Sequence, residues 1–79
     1  MKMEARACLL QERLNEKGLR VEELAARLLY KPEKLYDYIE MTRIMPLQVA
    51  VSIADALGCE VRALYEWEPV KNGPGREDA

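Results

Sequence analysis

Apolar side chains recur three or four positions apart along most of this chain, with charges between them, and that spacing predicts helices. Over residues 3–17 the repeat is carried by Ala7, Leu10 and Leu14 and predicts an amphipathic first helix. Gly18 supplies its stop, because glycine takes the left-handed cap without strain. A second helix is predicted over residues 21–29, with Leu24, Ala25 and Leu28 on one face and Glu22 and Glu23 in the first turn, where carboxylates suit the helix dipole. Pro32 fits the first turn of a third helix running to residue 41, which leaves Tyr30 and Lys31 between the two. After a loop, Pro46 opens a fourth helix, "PLQVAVSIADAL", ended by Gly58 and apolar almost all round, as a central core element would be. "EVRALYEW" predicts a short fifth helix, and "EPVKNGPGREDA" has the proline, glycine and charge content of a disordered tail. No repeat and no strand-like alternation is read. The expectation is an all-α domain over residues 1–68, a disordered C-terminal tail over residues 69–79, and a turn of about three residues at Leu29 to Lys31.

Composition narrows the function. Seventy-nine residues suffice for one small core, and 49% hydrophobic with 33% charged residues is the balance of a folded soluble protein. No apolar run reaches the ~20 residues that span a bilayer, and the charged N-terminal stretch is unlike a signal peptide, so no membrane partner and a cytoplasmic location are expected. Cys8 and Cys59 lack a CxxC spacing and there is no histidine, so reduced thiols are expected rather than metal ligands. With no paired nucleophile and base and no glycine-rich phosphate loop, the chain reads as no enzyme, with no cofactor and no small-molecule substrate.

Three blocks in order then carry a resemblance. "KGLRVEELAARLL" (residues 17–29), "IEMTRIMP" (39–46) and "IADALGCEVRALY" (53–65) resemble the helix-turn-helix family of lambda repressor and Cro, often called XRE-like. The resemblance covers roughly residues 5–67. It implies a five-helix lambda-repressor-like DNA-binding domain in which the third helix enters the major groove and the second lies across the backbone. The chain departs from the family pattern in three places. Arg20 and Val21 stand where the family is commonly polar, the "LLYKP" turn lacks the usual glycine and is one residue longer, and Thr42 replaces the glycine after Glu40. Either Leu35 with Ile39, or Tyr36 with Ile39, then faces the core, and the choice decides whether Tyr36 or Tyr38 points outward.

Charge is the test of that implication, since a duplex carries one negative charge per about 1.7 Å. Net charge is −2, but residues 1–43 hold nine Lys and Arg against eight Asp and Glu, whereas residues 44–79 hold three against six. Local cations at Arg20, Arg27, Lys31, Lys34 and Arg43 therefore matter more than the total. Arg20, Lys31, Lys34 and Arg43 are the expected phosphate and base contacts. Glu33 and Asp37 either pair with neighbours or accept hydrogen bonds from cytosine. Tyr38 either fills core space or, pointing outward, meets a phosphate or thymine methyl or anchors a protein partner. Leu64, Tyr65 and Trp67 form either a lid over the core or a dimer interface, the latter suiting a homodimer that reads two half-sites on double-stranded DNA. The leading expectation is a sequence-specific DNA-binding transcriptional regulator, a repressor. The alternative is a helical protein-interaction module that keeps the fold without DNA binding.

Overall fold

A computed structural model describes residues 2–70. The order of elements is strand β1 (Met3–Cys8), helices α1 (Leu10–Lys17), α2 (Val21–Leu28), α3 (Pro32–Ile39) and α4 (Leu47–Leu57), a 3-10 turn (Val61–Leu64) and strand β2 (Tyr65–Pro69). The helices meet in a core whose fully buried members are Leu10, Leu14, Leu24, Leu35, Ile53 and Leu64, so every helix and the 3-10 turn contributes. Among the described residues no polar or charged residue is buried. Each large side chain in such a core stabilises the fold by about 1.5–3 kcal/mol relative to exposure.

The helix boundaries follow from local chemistry. Gly18 and Gly58 end α1 and α4 in the left-handed conformation, at φ 68° and 69°. Pro32 occupies the first turn of α3, where its missing N–H costs nothing. At the start of α2 the Glu23 carboxylate accepts the Arg20 N–H at 2.8 Å. Arg20 has no side-chain acceptor to return the bond, and the Glu23 N–H goes to the Arg20 carbonyl at 3.0 Å.

The all-α, five-helix expectation is corrected at both ends of the domain. Residues 3–8 are not the start of a helix but strand β1, antiparallel to β2 with Met3 opposite Pro69, Ala5 opposite Trp67 and Cys8 opposite Tyr65. The predicted fifth helix is only the four-residue 3-10 turn that follows Glu60, and Tyr65, Glu66 and Trp67 lie in β2. The physical reason is pairing. Residues 3–8 have helix-forming composition, but between Met3 and Leu10 the helical phase offers only the small Ala7, whereas β2 alternates Tyr65 inward and Glu66 outward and needs a partner for its backbone. Arg6 is the extra residue of a bulge between Ala5 and Ala7, and its guanidinium meets the Glu68 carboxylate at 2.9 Å. The Leu9 N–H donates to the Leu64 carbonyl at 2.8 Å and continues the tie into α1.

Pro69 closes β2, opposite Met3, while the remainder of the expected tail, residues 71–79, lies outside the described residues. Among the described residues, no helix is long and apolar enough to cross a membrane and no group of His, Cys, Asp or Glu is arranged to hold a metal ion. Cys8 and Cys59 are free and half-buried, and burial pushes the Cys8 thiol pKa up.

Candidate nucleic-acid interface

The turn between α2 and α3 spans Leu29, Tyr30 and Lys31. Leu29 takes the left-handed conformation at φ 62°, which lets the Tyr30 N–H return to the Ala25 carbonyl at 2.9 Å and close the end of α2. Lys31 then adopts an extended backbone as the N-cap of α3. At the other end of α3 the left-handed residue is Met41, at φ 63°, and not Thr42. That reversal returns the Thr42 and Arg43 N–H groups to the Asp37 carbonyl at 2.9 and 3.3 Å. Arg43 is thereby folded back over α3, with its Nε 3.6 Å from the Asp37 carboxylate. Both ends of α3 are thus held by non-glycine residues in a conformation that costs about 1–2 kcal/mol each.

An open depression of about 510 Å³ lies against this unit, and its lining includes Lys31, Glu33, Lys34, Asp37, Tyr38 and Arg43. Of the seven residues expected from sequence to contact DNA, only Arg20 is absent from it. The Lys34 ammonium sits 4.6 Å over the Tyr30 ring, which fixes a flexible cation on the wall of the depression. Since Arg43 pairs with Asp37, the remaining local charges are the cations of Lys31 and Lys34 and the carboxylate of Glu33.

The register of α3 is resolved by packing. Leu35 and Tyr38 face the core, Ile39 is half-buried, and Tyr36 points outward at 38% exposure. An outward Tyr38 is therefore corrected: it is 2% exposed and belongs to the hydrophobic core, with burial the main reason its phenol pKa is raised. Leu35 and Tyr38 lie three apart on one helical face, and both side chains belong to the hydrophobic core. Tyr36 instead donates its hydroxyl to the Glu22 carboxylate at 2.7 Å, bridging α3 to α2. That hydrogen bond holds the Glu22 carboxyl below the usual carboxylate range, and Arg20 adds to the effect from nearby. Arg20 thus stands with Glu22 and Tyr36 at the start of α2, apart from the depression.

The expected dimer residues are only partly at the surface. Leu64 is fully buried and Tyr65 nearly so, its hydroxyl accepting the Met45 N–H at 3.0 Å. Both are core, and this corrects them as interface candidates: a side chain without accessible surface has none to bury against a partner. Trp67 is half-buried, edge-on to the Tyr65 ring at 5.8 Å and donating its indole N–H to the Arg62 carbonyl at 2.9 Å. Exposed apolar side chains occur instead at Ile44, Leu47 and Val51. Sequence reading missed these because α4 is apolar on nearly every face, so composition does not distinguish its buried side from its open one.

Residues 10–70 match the Cro/C1-type HTH DNA-binding domain. Over 69 residues, 86% of this chain and 93% of the relative, the chain is 33% identical to the SPbeta prophage-derived uncharacterized HTH-type transcriptional regulator YopS of Bacillus subtilis (strain 168). No solved structure matches the chain at a significant level.

Proposed function

Because the chain belongs to the Cro/C1-type helix-turn-helix DNA-binding family, we propose that it is a sequence-specific transcriptional regulator, a homodimeric repressor that reads the major groove with α3. The family is a class of DNA-binding domains and not of enzymes. The observation that carries the finer reading is the gathering of Lys31, Lys34 and Arg43 around one depression beside the turn. Cations there meet phosphates and fix the orientation of α3, while side chains farther along the helix reach base edges. An eight-residue helix is about 12 Å long, comparable to the width of the major groove.

The roles divide by position. Arg20 at the start of α2 and Lys31 at the start of α3 sit where helix N-termini favour a phosphate. Arg43 positions the far end of α3, and Lys34 reads. Glu33, whose carboxylate makes no ion pair or hydrogen bond among the described residues, is an acceptor suited to the cytosine amino group. Asp37, tied to Arg43, is the second acceptor, and its pairing relieves repulsion by phosphate. Repression follows from occupancy, since a bound dimer blocks whatever must use the same stretch of duplex. The relative's prophage origin suits a cytoplasmic regulator in a bacterium or a mobile element.

One observation favours a second reading, a protein-interaction module. Glu33 on α3 and Glu40 just past its end are exposed, and two such carboxylates suit a basic protein surface as well as a base edge. Selection from a pool of random duplexes separates the two. The regulator reading expects an enriched sequence bound at least about a thousandfold more tightly than bulk DNA. Failure to enrich any sequence would hand the case to the protein-interaction reading.

A further inference from the structure

We infer that Tyr36 is a specificity-determining residue of α3: with its hydroxyl held by Glu22, its ring selects the methyl group of one thymine in the major groove. The inference rests on the DNA reading proposed above, and adds to it a residue outside the depression and the base that residue takes.

What can reach a base edge is decided by the side of α3 turned away from the core. Leu35, Tyr38 and the half-buried Ile39 set the core side. Glu33, Tyr36, Asp37 and, just past the end of the helix, Glu40 recur at intervals of three and four along the opposite side. Tyr36 is the uncharged member of these four, and at 38% exposure its ring is partly open to solvent.

A tyrosine hydroxyl that is free can donate to any base acceptor and discriminates poorly. The proton of Tyr36 is already committed, since the hydroxyl donates to the Glu22 carboxylate at 2.7 Å. That bond draws the Glu22 carboxyl below the usual carboxylate range and pushes the Tyr36 phenol up, so the acceptor stays charged and the donor stays protonated at neutral pH. What remains for a base edge is the carbon rim of the ring. In the major groove an apolar group finds its match in the thymine methyl.

The same bond sets where the ring lies. Glu22 is in the first turn of α2 beside Arg20, whose charge acts on both Glu22 and Tyr36. An α2 docked on the backbone through Arg20 carries the ring to a fixed point in the groove, with little ordering left to be done on binding. Glu22 is a positioning residue in this scheme. Tyr36 lies three residues beyond Glu33, about 4.5 Å along the helix axis, which is close to one base step of about 3.4 Å. The thymine therefore neighbours the cytosine that Glu33 takes.

Uracil in place of thymine removes that methyl alone, so the test begins with the DNA and needs no variant. Each thymine of the duplex selected from the random pool is replaced in turn by uracil, and binding of the full chain is followed by fluorescence anisotropy. The wild type should lose roughly fourfold in affinity at one thymine beside a cytosine, the worth of one buried methyl. Tyr36→Ala, checked for folding by thermal melting, should bind the thymine and uracil duplexes equally. Glu22→Ala should reduce the dependence on the methyl, and Glu22→Gln, which still accepts the hydroxyl, should keep it. A selected duplex in which no thymine methyl matters, or a folded Tyr36→Ala that keeps the full dependence, overturns the inference and leaves sequence reading by α3 standing. Equal dependence in Glu22→Ala and Glu22→Gln overturns the role given to Glu22. Failure to enrich any sequence overturns the DNA reading itself and this inference with it.

Discussion

Replacing Leu29 by glycine should make the protein more stable, although it removes a leucine. The side chain is 91% exposed, so deleting it exposes almost no further apolar surface. Its backbone lies at φ 62°, where a Cβ crowds the following carbonyl at a cost of about 1–2 kcal/mol. Glycine removes that cost but adds freedom to the unfolded chain worth roughly 0.5–1 kcal/mol. The net gain should be about 0.5–1 kcal/mol, or roughly 2–8 °C in Tm for a domain of this size. The conformation is held by the Tyr30 N–H bond to the Ala25 carbonyl and by the start of α3 at Pro32, so relaxation to negative φ would undo the turn. Circular dichroism melts and urea titrations of wild type, Leu29→Gly and Leu29→Ala provide the measurement. Alanine keeps a Cβ at the same φ and should stay within about 0.5 kcal/mol of wild type. If Leu29→Gly destabilises the protein, or if alanine stabilises as much as glycine, the turn is not strained as described.

Tyr65→Phe should cost about 1–3 kcal/mol in urea unfolding, because it leaves the buried Met45 N–H without its acceptor, and a loss below about 0.3 kcal/mol would show the bond to be dispensable. Tyr36→Phe should raise the Glu22 carboxyl into the ordinary carboxylate range in an NMR titration, since the Tyr36 hydroxyl is the main cause of its lowered value. In the wild type that bond's contribution is present above the unfolded carboxylate pKa and is lost as pH falls through the lower folded value. At the alkaline end Tyr36 is raised by the same bond, and the contribution is lost as pH rises through that raised value. An unchanged Glu22 midpoint in Tyr36→Phe would contradict the pairing.

Local signals made the helix-turn-helix legible. Gly18, Pro32 and Gly58 mark helix ends by backbone constraint alone, and the structure puts boundaries at each. The grouping of Lys31, Glu33, Lys34, Asp37 and Arg43 was also readable, because Glu33, Lys34 and Asp37 share one helix, Lys31 precedes it directly and Arg43 lies in the next loop. Two features depended on distant parts of the chain. Strand β1 exists because β2 pairs with it across the whole domain, and helix-forming composition in residues 3–8 gives no hint of that partner. The alternation Tyr65, Glu66, Trp67, Glu68 was the one strand signal available, and it was obscured by overlap with an apparent helical repeat. The orientation of α3 was undetermined by periodicity, since Leu35, Tyr36, Tyr38 and Ile39 offer two apolar faces. Packing chose Leu35 with Tyr38.

The most direct test of α3 as a reading helix compares wild type with Lys34→Ala and Arg43→Ala by fluorescence anisotropy, on the selected duplex and its single-base variants at several salt concentrations. Arg43→Ala should weaken binding to every sequence alike and lower the salt slope by about one, the mark of a lost phosphate contact. Lys34→Ala should instead remove about 1–3 kcal/mol of discrimination at one position of the site and leave the other positions unchanged. Affinities that respond to neither substitution, or a Lys34→Ala loss spread evenly over all duplexes, would contradict the assignment of sequence reading to α3.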